Sequence, residues 1–322
     1  MAPRPGSTLR RRKLVKKLAE ARKAAGLSIR QLAAEMDLQP GTVSKIETGK
    51  QGLTVRNIKS IGRATGLTRD GIDELVHLAT NDDSDDDWLI EFRRTMPEWF
   101  TLYAALEQDA EEIWTYGSEL VHGLAQTAGY AEALARLSFP PLDEESLRRS
   151  VSLRIDRQAL LDREDPPRLR IVVNEAAVRR PVGGPAVMRA QLQHLADLSE
   201  RPGIELRLLP FSVGAHPGMK SGFTLLHFPS GFDDMDCVYL ENENGGVWQE
   251  GPQDIDRYST IFTGLRDLAL PPSTTRAVLT ELVRGEPVEA VGLGRGEPDV
   301  GRRDVLLEVG NAGGAGDGQH DR

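Results

Sequence analysis

Residues 26–49 read GLSIRQLAAEMDLQPGTVSKIETG, and their spacing predicts two short helices joined by a tight turn. Ser28 is placed to cap the first helix, its hydroxyl accepting from an amide that the opening turn leaves free. Leu32, Ala33 and Met36 give that helix one apolar side. Asp37 stands where the chain must reverse, and aspartate is among the few residues that tolerate left-handed backbone. Leu38 then returns to the core. Pro40 opens the second helix, its fixed φ suiting a first helical turn. Val43 and Ile46, three apart, form the buried side. Gln39, Thr42, Ser44 and Lys45 are left facing out, and Gly49 ends the helix.

Two helices, one turn and a polar outer face make a helix-turn-helix, whose second helix meets base edges in the DNA major groove. The alternative for these residues is a plain helical hairpin. The stretch LSIRQLAAEMDLQPGTVSKIETG resembles the Cro/repressor-like (XRE) family, and the resemblance spans about Leu9 to Ala79. It implies that Arg22 and Glu47 form an ion pair tying helix 1 to the recognition helix. If that pair is buried, stranding one partner costs about 3–5 kcal/mol.

Outward from this stretch, charge is strongly segregated. Residues 1–66 hold 15 Lys/Arg against four acids, giving +11, so the remainder carries −20 of the overall −9. A basic head on an acidic body suits a DNA reader joined to something else. Arg10, Arg11, Arg12 and Lys13 crowd the first turn of helix 1, against the helix dipole, and are phosphate candidates together with Thr48, Lys50 and Arg56. Pro40 and Gly41 sit where longer polar readers are common among relatives, so shape and backbone contacts carry more of the specificity.

The chain divides into 1–8, Pro/Gly/Ser-rich and expected to be disordered; 9–80, five helices; 81–87, the acidic linker NDDSDDD; 88–284, a second domain; and 285–322, with ten glycines in 38 residues, an expected disordered tail. In the second domain Trp88–Leu106 reads as a helix carrying Trp88, Phe92, Trp99, Phe100 and Tyr103, core or dimer contacts rather than a ligand box. Asp143–Leu161 reads as a long helix with an Asp cap, its arginines 148, 149, 154 and 157 solvated. Strands are expected at Arg168–Val173, Ile204–Pro210, GFTLLHF, CVYLE and GVWQE, the last three antiparallel, with helices at Pro185–Ser199, Pro252–Leu268 and Pro272–Val283. The expectation is an α/β or α+β domain with a mixed sheet behind an all-α head.

The stretches ELVHGLAQTAGYAEAL, RIVVNEAAVRRPVGGPAVMRAQLQHL, IELRLLPFSVGAHPGMKSGFTLLHF and VYLENENGG resemble the domain of unknown function that follows this helix-turn-helix in many actinobacterial, WhiJ-like regulators. Those regulators are usually paired with a small acidic protein encoded alongside, in an antitoxin-like arrangement. One departure is visible: relatives commonly have Pro-Gly-Leu-Leu-Gln-Thr where this chain has His122-Gly123-Leu124-Ala125-Gln126-Thr127.

Little points to catalysis. One cysteine, Cys237, excludes an internal disulfide and any cysteine-cluster metal site. No metal, nucleotide or hydrolase fingerprint occurs, and no cofactor is expected. His216 and Lys220 faintly resemble a phospholipase-D-like site, but a second copy is missing. They are assigned to a ligand or partner loop. The N-terminus lacks a signal-peptide apolar run, and no stretch approaches a membrane span, so a cytoplasmic protein is expected. The sequence reads as a homodimeric, sequence-specific transcriptional regulator, a repressor acting on an inverted-repeat operator in double-stranded DNA, whose second domain dimerises and binds a small acidic protein or a ligand. The alternatives are a protein-sequestering, antitoxin-like adaptor and an enzyme of degenerate phospholipase-D-like fold with a DNA-binding head.

Overall fold

The computed structural model describes residues 7–51, 53–80, 96–242 and 244–285. The expected linker at 81–87, Trp88, Phe92, residues 1–6 and the tail from 286 lie outside the described residues. Five helices form the head: α1 (Ser7–Ala24), α2 (Ile29–Glu35), α3 (Pro40–Glu47), α4 (Val55–Ala64) and α5 (Arg69–Thr80). Helix α1 begins two residues earlier than expected, taking in Ser7 and Thr8. Leu14, Leu18, Leu32, Val43, Ile46, Ile58, Ile61 and Leu75 meet in one core.

Local chemistry sets the ends of these helices. Ser28 Oγ accepts from Gln31 N–H, and the Gln31 side chain reaches back to the Ser28 amide, a reciprocal cap. Asp37 turns the chain with φ 53°, and Pro40 occupies the first turn of α3. Thr54 and Thr68 cap α4 and α5 through their hydroxyls.

The body is built on a six-stranded mixed sheet of order β3-β2-β1-β4-β5-β6. Its strands are β1 (Glu112–Gly117), β2 (Arg168–Asn174), β3 (Ile204–Leu209), β4 (Phe223–His227), β5 (Cys237–Asn242) and β6 (Gly245–Gln249). Strands β1, β2 and β3 run parallel, whereas β4, β5 and β6 follow as an antiparallel meander against β1. Helix α6 (Glu98–Glu107) precedes β1. The β1–β2 crossover contains α7 (Ala128–Ala135) and α8 (Glu144–Asp156). Between β2 and β3 lie α9 (Glu175–Arg179) and α10 (Pro185–Leu198), and α11 (Pro252–Leu268) and α12 (Pro272–Arg284) close the body. Phe262 and Leu265 of α11 pack on Tyr116, Val172, Leu225 and Val238, covering one sheet face.

Three expectations change. A single helix does not run from 88 to 106, because Pro97 is extended (φ −55°, ψ 147°) and α6 starts after it. The long helix after Asp143 ends at Asp156 and tightens into a 3-10 turn, Arg157–Asp162. Strand β1 was not expected from the sequence, yet it stands at the centre of the sheet.

Candidate nucleic-acid interface

In the head, Val43 and Ile46 are fully buried and turn the opposite side of α3 outward. Gln39 and Lys45 are exposed, and Thr42 and Ser44 are half-buried beside them. Gln39, at the N-cap, makes no side-chain cap bond and keeps its amide available. Thr48, Lys50 and Arg56 are exposed around the same helix and the loop leaving it. Thr48 Oγ1 donates to Ser44 O at 2.8 Å, which fixes its rotamer against the helix end.

Arg22 and Glu47 form a two-pronged pair. Arg22 Nε donates to Glu47 Oε1 at 2.6 Å and Nη2 to Oε2 at 2.9 Å, while Nη1 donates to Leu27 O at 2.7 Å. The side chains are 11% and 9% exposed. The hydrogen bond that Arg22 donates to Glu47 holds the guanidinium pKa above its ordinary value. Three donors are thereby satisfied, and α1 is locked to the end of α3. Arg11 adds a second tie that sequence reasoning missed, its Nη2 donating to Gly49 O at 2.8 Å.

The basic start of α1 splits in two. Arg11 is exposed and Arg10 half-buried, which leaves both as phosphate candidates. Arg12 and Lys13 are not available for that role. Arg12 pairs with Glu250 and lies over the Trp248 ring, 5.5 Å from its centroid. Lys13, 8% exposed, donates to Gly231 O and to Asp234 Oδ1 at 3.0 Å and sits 4.6 Å from the Phe232 centroid. Lys16 joins it on Asp234 at 3.1 Å. Burial works to raise the Asp234 carboxyl, but the hydrogen bonds and charges of Lys13 and Lys16 outweigh it and bring its pKa down. One basic face of α1 is thus docked on the acidic body.

The body holds a second set of polar groups, in a cavity of about 650 Å³ beside the carboxyl end of β1. Two residues from the expected solvated face enter it: Arg157 is 3% exposed and Arg154 half-buried, while Arg148 and Arg149 stay outside. Arg157 Nε lies 2.9 Å from Oε2 of Glu107, itself fully buried, as an ion pair not aligned as a hydrogen bond. Tyr103 donates to Glu107 Oε1 at 2.8 Å, and His122 Nε2 lies 2.9 Å from the Tyr103 oxygen. Since Leu124 N–H points at His122 Nδ1, the His122 proton is assigned to Nε2. Burial, reinforced by the charge of Arg157, pushes the His122 pKa down to about 3, so the ring is neutral. Burial likewise raises the Glu107 carboxyl, with Arg157 and Tyr103 opposing.

Three aromatics of α6 are used within the chain. Tyr103 stacks on Tyr239 at 4.3 Å, Phe100 lies under Arg157 at 5.1 Å, and Trp99 packs against Gly245. Tyr103 is a core contact, and Trp99 and Phe100 stay half-buried. His216 rests edge-on against Tyr116, and Lys220 is exposed. Among the described residues, no group of three or more His, Cys, Asp or Glu could hold a metal ion. No helix among them is long and apolar enough to cross a membrane.

The capped α2, the left-handed turn at Asp37 and the outward face of α3 make the head an XRE-type helix-turn-helix, and a helix-turn-helix family model matches residues 18–72. The protein is a DNA-binding transcription regulator. By its larger part it belongs to the family of the domain of unknown function DUF5753, whose model matches residues 100–281. No curated protein and no solved structure matches the chain.

Proposed function

We propose that the protein is a cytoplasmic repressor that binds an inverted-repeat operator as a homodimer and takes no part in catalysis. The observation that carries the reading is the outward polar face of α3, held on a core by the Arg22–Glu47 pair. Lys45, Gln39, Thr42 and Ser44 meet base edges, and Arg10, Arg11, Thr48, Lys50 and Arg56 meet phosphates. A single helix-turn-helix covers one half-site, so two copies are needed, with half-site centres about 34–36 Å apart or a multiple of that turn. The body supplies the dimer and receives a signal, either a ligand or a small acidic protein encoded nearby, as its resemblance to antitoxin-like regulators implies.

Footprinting of the full chain on DNA recovered by co-precipitation tests this. Two symmetric protected half-sites are expected, and Lys45→Ala should cost about 1–3 kcal/mol at one site position if it reads a guanine. A monomer protecting a single asymmetric site would sink the model. Equal loss on random DNA would make Lys45 a phosphate contact.

The adaptor reading has one observation on its side: Arg12, Lys13 and Lys16 are taken up by the body and lost to DNA. Co-purification of the partner with and without operator DNA separates the two. Partner binding indifferent to operator, with no sequence preference in the DNA, would favour the adaptor.

A further inference from the structure

The cavity of the body lies where the parallel and antiparallel halves of the sheet meet. Tyr116, at the end of β1, is paired with Val172 of parallel β2 on one side and with Phe223 of antiparallel β4 on the other. The chain leaves β1 toward β2, and the connection from β3 returns past β1 to β4 on its other side; such switch points at the carboxyl ends of parallel strands open a crevice that the sheet cannot fill. A cavity of about 650 Å³ is within the range that holds a small organic molecule.

Its lining restricts the chemistry. Aromatic rings of Phe100, Tyr103 and Tyr239 form one wall, which favours a flat ligand. Arg154 and Arg157, three apart in sequence, both face the cavity. Arg157 Nη1 is buried with no hydrogen-bond partner, although the guanidinium is nearly inaccessible to water. Gly123 is part of this placement, because a Cβ there would come within 2.1 Å of Arg157 Nη2. Arg154 makes one hydrogen bond, from Nη1 to Gln126 Oε1 at 3.2 Å, out of five possible donors. Glu241 acts on both arginines through space but is hydrogen-bonded to Tyr239. Carboxylates of Glu119 and Glu241 also line the cavity, but Arg157 Nη1 keeps no acceptor of its own. Such a deficit costs free energy until something fills it.

We propose that this cavity binds a flat, aromatic carboxylate, its ring against Tyr103 and Tyr239 and its carboxylate on Arg154 and Arg157. A carboxylate offers two oxygens to guanidinium donors, which a neutral amide does not match. The site deepens the reading of the body as receiver of a signal. It rests on that reading for its purpose and on the cavity for its chemistry.

The test uses the full chain without DNA, with 1-naphthoate as probe and 1-naphthamide as its neutral counterpart, in calorimetry and ligand-observed NMR. One equivalent of naphthoate is expected to bind, at least tenfold more tightly than naphthamide. Arg154→Gln should remove that preference, and Ser150→Trp, which fills the cavity from α8, should abolish binding, both with unchanged circular dichroism. Arg157 is left intact because its removal strands Glu107 and threatens the fold. Equal binding of the two probes, binding unaffected by both substitutions, or no binding at millimolar probe would overturn the proposal. Operator footprinting on the same preparation is scored separately: its loss leaves the cavity standing, and loss of naphthoate binding leaves DNA recognition standing.

Discussion

Head and body each bury one arginine–glutamate pair, and the two are built differently. In the head, Arg22 has three of its nitrogens donating, two to Glu47 and one to Leu27 O. In the body, Arg157 touches Glu107 through Nε, lies over two rings and keeps Nη1 without a partner. A closed pair fixes one element on another and leaves no guanidinium nitrogen without a partner. An open pair beside a cavity keeps donors that a ligand can use. The same residue types therefore serve as a clamp in one place and as a receptor in the other, and hydrogen-bond saturation makes the difference.

The largest effect expected from breaking this comparison is in the body. Arg157→Ala leaves the fully buried Glu107 without its cation and should cost toward the upper end of about 3–5 kcal/mol. Urea unfolding of the full chain measures it. The double variant Arg157→Met with Glu107→Leu should lose less than Arg157→Ala alone, since no charge is then stranded. A double loss equal to the sum of the singles would mean that the two groups do not interact.

Arg22→Ala and Glu47→Ala come next, at about 3 kcal/mol each, because both side chains keep some contact with water. Their double-mutant cycle should show a clear coupling energy in the melting of the head. Strict additivity would remove the clamp.

Acid sharpens the contrast. His122 is neutral when folded, with its pKa near 3 against an ordinary 6.5. Between those values the unfolded chain binds a proton that the folded chain refuses, so stability falls as pH drops through this window. The slope is at most about 1.4 kcal/mol per pH unit. Glu107, raised by burial, takes up its proton earlier in the folded state and offsets part of the loss. His122→Gln should flatten the dependence in urea titrations between pH 6.5 and 3. An unchanged slope would show that His122 is not the group responsible.

The smallest effect is at the contact between head and body. Asp234→Asn weakens the pairs with Lys13 and Lys16, and because Asp234 is 43% exposed the stability change should stay below about 1 kcal/mol. Its visible consequence is in DNA binding, where two released lysines should steepen the dependence of affinity on salt. A salt slope identical to that of the wild type would show that these lysines do not reach phosphate.

Much of the head was legible because its rules are local. The cap at Ser28, the reversal at Asp37, Pro40 in the first turn of α3 and the Val43–Ile46 spacing each depend on residues within one or two turns. In the body β2 through β6 could be read from alternation or from compact apolar runs, whereas β1 could not. Covered on both faces and flanked on both edges, EIWTYG shows no clean alternation. Arg157 did leave a signal. It falls four residues after Leu153 and three before Leu160, on a stripe that is otherwise buried and apolar. A charge on that stripe requires a buried partner, but nothing local names Glu107, which lies 50 residues earlier on another helix. The fate of α1 was hidden in the same way, since Arg12 and Lys13 look like the other basic residues of that turn until Glu250 and Asp234 are brought beside them.

The sequence by itself determined the helix-turn-helix, its outward residues, the segregation of charge and most of the strand inventory. These follow from periodicity, capping and turn chemistry, which act over a few residues. Only the tertiary structure decided which arginines are solvated, which basic residues remain for DNA, and that a polar cavity opens beside β1. Those outcomes depend on partners dozens to hundreds of residues away, and burial changes what a charge must have around it in a way that no local pattern encodes.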